Sequence, residues 1–312
     1  MPYSLVLERA SGTHKNTVQR MLSLLTSTCS VVCLLPQAYS NKLRLAAIEV
    51  IVFRPLWCLG AQRKGMVIKM ENVFDKVENN MDNLVDNNVW WSNCASAEQM
   101  EAAKHGKLEL TLGISKPAPQ DWICDIDGKK VLCLAGAGGL QAPLIATAGA
   151  RVTVIDISQK MLDKDIRMAE KYNLDIQIEH GNMTDLSRFK DETFDYVINP
   201  ASLFYVPSVH PVFKECYRVL KRGGSLILAA PSPIAYVCDF IDDENGGYYK
   251  AVNRMPYSSA EHPDQGDWIE FGHTMGDYIG GQIACGFVIT GYVEDQQEDI
   301  TDLSFMTKAT KP

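Results

Sequence analysis

No two of the nine cysteines are spaced C-x-x-C, and their odd number and wide scatter exclude a disulfide framework and a zinc site. Reduced thiols in a cytoplasmic enzyme are the simplest account, and no metal is expected. Basic charge is not in excess either. Thirty Lys and Arg face 38 Asp and Glu, a net of −8, which argues against a long nucleic-acid footprint and favours a small-molecule partner. The apolar stretch from Leu22 to Pro36 is shorter than the roughly 20 residues a membrane span needs. Internal repeats and low-complexity tracts are absent. What is present is the balance of a soluble globular protein: 46% hydrophobic and 22% charged residues, with enough chain for one large domain plus an appendage.

Residues 1–65 differ from the rest. They carry eight Lys or Arg against Glu8 and Glu49, a net of +6, so the other 247 residues carry −14 to give the total of −8. So sharp a shift marks a boundary. The apolar stretch inside this basic extension reads either as the core of a targeting or anchoring segment, with Lys15 and Arg20 ahead of it, or as part of an over-extended reading frame. In the second case translation starts at Met66 or Met70, after Gln62-Arg63-Lys64-Gly65. No membrane contact is expected unless this segment is an anchor.

Residues 66–127 read as a helical cap. Val73, Phe74, Val77, Met81, Leu84 and Val85 recur at helical spacing, and a second helix starts at Ser96 and ends at Gly106. Pro117, Pro119 and the Asp127-Gly128 turn then lead into residues 128–312, where strands and helices alternate as in a doubly wound sheet. The expected strands are 130–135, 151–155, 176–178, 194–198 and 225–230, with a closing pair at 286–290 and 303–309. Helices are expected over 140–148, from a Ser158 cap to about Tyr172, and over 209–220, the last stopped by Gly223-Gly224.

The most informative stretch is the turn Ala135-Gly136-Ala137-Gly138-Gly139 between a strand and a helix. Small residues let the backbone approach a ligand, and the helix start offers unpaired N–H groups. A tight turn with no ligand is the alternative. Asp156 ends the next strand, 17 residues after Gly139, where a carboxylate can accept both hydroxyls of a ribose. It could instead cap the following helix, but Ser158 is better placed for that. The dinucleotide pattern G-x-G-x-x-G breaks down, because the count from Gly136 reaches Gln141 at the third small position.

Taken in order, VLCLAGAGG, VTVIDIS, GNMTDL, FDYVINPAS and YRVLKRGGSLILAA resemble the successive motifs of class I S-adenosylmethionine-dependent methyltransferases, nearest to the type 11 group. The resemblance covers 128–233 firmly and 90–116 and 270–294 more loosely. It implies a Rossmann-like α/β fold with a mostly parallel seven-stranded sheet. Ala135, Gly136, Gly138 and Gly139 would then face the methionine and ribose of S-adenosylmethionine. Asp156 would hold the ribose hydroxyls, Ile157 would flank the adenine, Asn182 would meet its amino group and Met183 would line the ring. Cys133 stands where the family carries an acid, Ala135 and Ala137 where it carries glycines, and Asn182 where Asp is commoner. An alanine held at positive φ there would be strained.

Methyl transfer from a sulfonium needs alignment more than a catalytic triad, and a base only where the acceptor must lose a proton. Asn199-Pro200 resembles half of the Asn/Asp-Pro-Pro-Tyr motif of amino-group methyltransferases and would sit beside the reacting methyl; the alternative is an ordinary strand-end turn. His273 is the candidate base, with a structural histidine as the alternative. Among the aromatics Trp90, Trp91, Phe204, Tyr205, Tyr236, Tyr248, Tyr249 and Trp268, the acceptor-pocket candidates are Trp90, Trp91 and Tyr205. Two rivals stand beside a methyltransferase of an unidentified small molecule. A nicotinamide-dependent oxidoreductase is one of them. A non-catalytic S-adenosylmethionine-binding subunit is the other.

Overall fold

The computed structural model describes residues 70–312 apart from 88, 90–91, 114–115, 137, 242–246, 262–267 and 297–301. The basic extension, its apolar stretch, Trp90 and Trp91 lie outside the described residues. The chain divides between Met66 and Val67, and every described residue falls in the second unit.

Helix α1 (Met70–Asp86) places Val73, Val77 and Met81 on one buried stripe, four residues apart. Helix α2 (Ala97–Lys104) starts in a capping box: Gln99 N–H donates to Ser96 Oγ, and Ser96 N–H donates to Gln99 Oε1. The α/β portion follows as β1 (Lys130–Leu134), α3 (Gln141–Thr147), β2 (Arg151–Asp156), α4 (Gln159–Tyr172), β3 (Ile176–His180), β4 (Phe194–Asn199), α5 (His210–Val219) and β5 (Leu220–Pro231). Two short ribbons come next, β6 (Cys238–Ile241) with β7 (Tyr248–Ala251) and β8 (Tyr257–Ser258) with β9 (Phe271–Gly272). The hairpin β10 (Val288–Gln296) and β11 (Asp302–Thr310) completes the chain.

The seven-stranded sheet has the order β10-β11-β5-β4-β1-β2-β3, parallel from β5 through β3, with β11 antiparallel to both of its neighbours. Strands buried on both faces explain the near-continuous apolar runs. Alternate residues serve opposite faces. Val131, Cys133, Val152 and Val154 pack with Ile145 of α3 and Leu162 of α4, whereas Leu132, Leu134, Val197 and Leu228 pack with Phe213 and Cys216 of α5. The largest such side chains each contribute about 1.5–3 kcal/mol by leaving water.

Two expectations need correcting. Helix α5 ends at Val219 and β5 begins at once, so Gly223-Gly224 lies inside the strand, where its register against β4 shifts, and does not terminate the helix. Nor is 66–127 helical throughout. After α2 the chain runs extended, and Leu110, Leu112, Ala118 and Trp122 join the core on the face of the sheet that α3 and α4 cover, with Trp122 against Gly291 of β10. Ala201 N–H donates to Leu112 O at 2.8 Å, which fixes this segment against the end of β4. The two small ribbons left no readable alternation in the sequence. Among the described residues no helix is long and apolar enough to cross a membrane.

Candidate functional site

Strand order reverses at β1, with β2 on one side and β4 on the other, and in an open α/β sheet such a point leaves a crevice beyond the carboxyl ends of the strands. A cavity of about 550 Å³ lies there, within the range of small-molecule sites. Its floor is made by the strand ends and their continuations: Ala135 after β1, Asp156 and Ile157 after β2, Asn182 and Met183 after β3, and Pro200 to Ser202 after β4. Phe74, Val77 and Met81 of α1 cover one side. Phe204, Tyr205, Tyr236 and Glu270 complete the lining, with Tyr205 packed in one apolar cluster with Val77, Met81 and Ile157.

Asp156 is 7% exposed, and Ser158 N–H donates to its Oδ1 at 2.9 Å. Burial pushes its carboxyl up to about 6, against the lowering effect of the Ser158 and Ile157 amides and of His180. Ser158 does cap α4, its Oγ accepting from Met161 N–H at 3.2 Å. The same hydroxyl donates to Asp82 Oδ1, and Lys160 pairs with Asp86 at 2.6 Å, so α1 is tied down over the cavity at the start of α4.

The small-residue turn behaves differently from its expected part. Ala135 has φ +52°, the left-handed region that strains a residue with a Cβ, and it lines the cavity. Gly136, Gly138 and Gly139 are not on the cavity wall. Gly139 is clasped on both sides: its N–H donates to Asp165 Oδ1 at 2.9 Å, and its carbonyl accepts from Ala95 N–H at 2.9 Å. A Cβ on Gly139 would lie 2.7 Å from Cys94 Sγ. These glycines permit close packing beneath the site, and Leu140 and Gln141 carry the wall onward. Asp165 is 1% exposed, and burial pushes its carboxyl up to about 8. The sequence gives no sign of this, because an acid midway along an amphipathic helix reads as a solvent-facing residue.

Asn182 lines the cavity, but its Oδ1 already accepts from the Thr184 amide at 2.9 Å and the Thr184 hydroxyl at 3.0 Å. Its remaining group is the Nδ2 donor, which suits a ring nitrogen and not the expected amino group. Met183 and Tyr205 line the cavity. Asn199 does not. Its Nδ2 donates to Leu134 O and to Ser202 Oγ, both at 2.8 Å, tying the end of β4 to the end of β1.

His273 also stands off the wall, contrary to the role expected for it. Its ring is 5% exposed, with Nε2 within 3.2 Å of Leu203 O and 3.0 Å of Val206 O, so it donates there and cannot offer that lone pair to a substrate. Burial holds it below the usual histidine range. Its work is to anchor the turn that presents Phe204 and Tyr205. Tyr248 and Tyr249 belong to the β6–β7 ribbon, away from the wall. Sequence reasoning passed over Glu270 and Gln141. For Glu270 the available signal was a lone acid between Ile269 and Phe271. Gln141 had none, since it merely fills the place of an absent glycine.

A model described as a methyltransferase domain matches residues 132–228. An uncharacterized methyltransferase of Bacillus subtilis, YbaJ, is 39% identical over 230 residues, 71% of this chain and 90% of that protein. A ubiquinone biosynthesis O-methyltransferase of Pseudomonas putida is 31% identical over 137 residues, 41% of this chain and 57% of the relative, so the match spans only about half of that enzyme. Among solved structures, S-adenosylmethionine-dependent methyltransferases from Mesorhizobium loti and Listeria monocytogenes superimpose with TM-score 0.54 each. Their identities are 18% and 23%, and they cover 61% and 62% of this chain and 94% and 95% of their own; the likeness is one of fold.

Proposed function

The chain belongs to the S-adenosylmethionine-dependent methyltransferase family, and from that premise we propose that the cavity at the ends of β1, β2 and β4 holds S-adenosylmethionine beside a small-molecule acceptor. The enzyme uses S-adenosylmethionine as methyl donor. Assigning its site to particular residues is our reading.

The donor set fits the group. Asp156 is an acceptor for paired hydroxyls, Ile157 and Met183 supply apolar faces for a purine, and Asn182 Nδ2 supplies a donor for a ring nitrogen. Gln141 is 3% exposed, and its Nε2 is spent on Thr111 O at 3.0 Å. Its side chain is thereby fixed in the wall between β1 and the 110–112 segment. The buried Asp156 carboxyl, at the end of β2 in the same cavity as Ile157, Asn182 and Met183, is the observation that carries the reading.

Bound there, S-adenosylmethionine supplies a methyl already activated on sulfur. The chain has to orient and to exclude water. Asn199 holds the β4 end against β1, so that Pro200 to Ser202 keep their place on the floor. His273 steadies the Phe204–Tyr205 turn. Helix α1 covers the cavity with Phe74, Val77 and Met81.

The test is calorimetry with S-adenosylmethionine and with NAD. The first should bind and the second should not. Asp156→Ala should weaken the first by about 1–3 kcal/mol by leaving the hydroxyls unpaired. Unchanged affinity in a folded Asp156→Ala protein removes Asp156 from the site, and NAD binding in place of S-adenosylmethionine refutes the reading.

A further inference from the structure

Of the charged groups on the cavity wall, Asp156 is taken up by the reading above. The other is Glu270. It reaches the cavity from the residue preceding β9 and lies beside Tyr236, in the short helical turn that follows β5. Its carboxylate accepts from the Tyr236 hydroxyl at 3.5 Å and from the Trp268 side chain. Both partners are neutral. Among the described residues no Lys, Arg or His lines the cavity, and Glu270 forms no ion pair. Burial holds its carboxyl above the usual range, as befits a carboxylate without a cation.

Its surroundings are aromatic. Tyr205 packs against Phe204 with ring centroids 4.1 Å apart and meets Trp268 edge-on at 5.8 Å. Burial and the nearby Glu270 keep the Tyr205 hydroxyl protonated. A half-buried carboxylate whose partners are neutral attracts a cation by charge, and the apolar bodies of the surrounding rings keep water from screening it. The same arrangement rejects an anion, which would lie near Glu270 with no basic group to offset it.

We propose that the methyl acceptor presents a protonated or protonatable nitrogen, an amine or amidine on an apolar body, seated against Glu270 and enclosed by Phe204, Tyr205 and Tyr236. The proposal rests on the assignment of S-adenosylmethionine to Asp156 and extends it by a substrate class. Phenols and other neutral acceptors, and acceptors carrying a carboxylate or phosphate, are the classes it sets aside.

Three probes of one shape separate these classes: 2-phenylethylamine, 2-phenylethanol and 3-phenylpropanoate, titrated calorimetrically into the full chain with and without saturating S-adenosylhomocysteine. The amine should bind at least about tenfold more tightly than the alcohol, and the carboxylate most weakly. E270Q should bring the amine to within about twofold of the alcohol. Y236F, which keeps the carboxylate, should preserve the amine's preference. An amine that binds no better than the alcohol, or not at all, overturns the proposal without needing any variant. So does a preference that survives E270Q. If E270Q weakens S-adenosylmethionine but not S-adenosylhomocysteine, Glu270 faces the sulfonium instead, and the proposal also falls. Failure of S-adenosylhomocysteine to bind counts against the Asp156 assignment, while the amine titration on the protein alone still decides the role of Glu270.

Discussion

Lowering the pH from 8 to 5 should weaken S-adenosylhomocysteine binding about tenfold, with Asp156 as the cause. Asp156 is a buried carboxyl whose titration lies near 6 because the cavity floor desolvates its charge. Only the anion can accept from both hydroxyls of a ribose; the protonated form presents a competing donor. The ionised fraction is about one half at pH 6 and about one tenth at pH 5, so the apparent dissociation constant should double and then rise about tenfold, roughly 1.4 kcal/mol in all. Calorimetry at pH 5, 6, 7 and 8, at constant ionic strength, measures the curve. Asp156→Asn should bind weakly and without a slope. Asp165 titrates near 8 behind the same turn, and Asp165→Asn should leave the slope between pH 7 and 5 intact. A flat wild-type curve, or a slope retained by Asp156→Asn, refutes the reasoning.

The same burial has a stability consequence of opposite sense. Asp165 has a folded value raised above its unfolded one, so the native state holds the proton more tightly and stability declines as pH rises from about 4 to about 8. Asp165→Asn keeps an acceptor for Gly139 N–H and removes the charge. It should raise stability by at least about 1 kcal/mol at pH 8, a gain of about 2–4 °C in melting temperature that shrinks at pH 5; a gain independent of pH contradicts this. Gly139→Ala places a Cβ against Cys94 at φ +87° and should cost about 1–3 kcal/mol in chemical denaturation, with weakened S-adenosylhomocysteine binding as Ala135 and Gln141 shift. A variant as stable as the wild type shows that the turn yields freely. His273→Ala strips a donor from two buried carbonyls and should cost about 1–3 kcal/mol of stability while affinity stays near wild type. Wild-type melting behaviour would return His273 to consideration as a base.

Much of the α/β portion was legible from local pattern. Runs such as KVLCLA and RVTVI are apolar without alternation because the parallel strands are covered on both faces, and the Ser158 cap and the Asp156 strand end carry their chemistry in residue type alone. Where the reading erred, the deciding contacts were distant in sequence. Gly223-Gly224 has the composition of a helix stop, yet β4 alongside draws the chain into a strand from Leu220 onward. The glycines of the turn have the composition of a ligand cradle, but Cys94 and Asp165 pack against them from 44 and 26 residues away. His273 sits in a polar segment that suits a base, but the carbonyls of Leu203 and Val206 claim its ring.

By itself the sequence determined the order of strands and helices in the α/β portion, the place of the small-residue turn and the carboxylate ending the second strand, because backbone propensity and hydrophobic period act between near neighbours. The tertiary structure alone decided which of those groups reach the cavity. Gln141, Glu270 and Tyr236 meet there, and Gly139, Asn199 and His273 turn away. Desolvation and hydrogen bonding depend on what lies across the fold, and no local pattern carries that information.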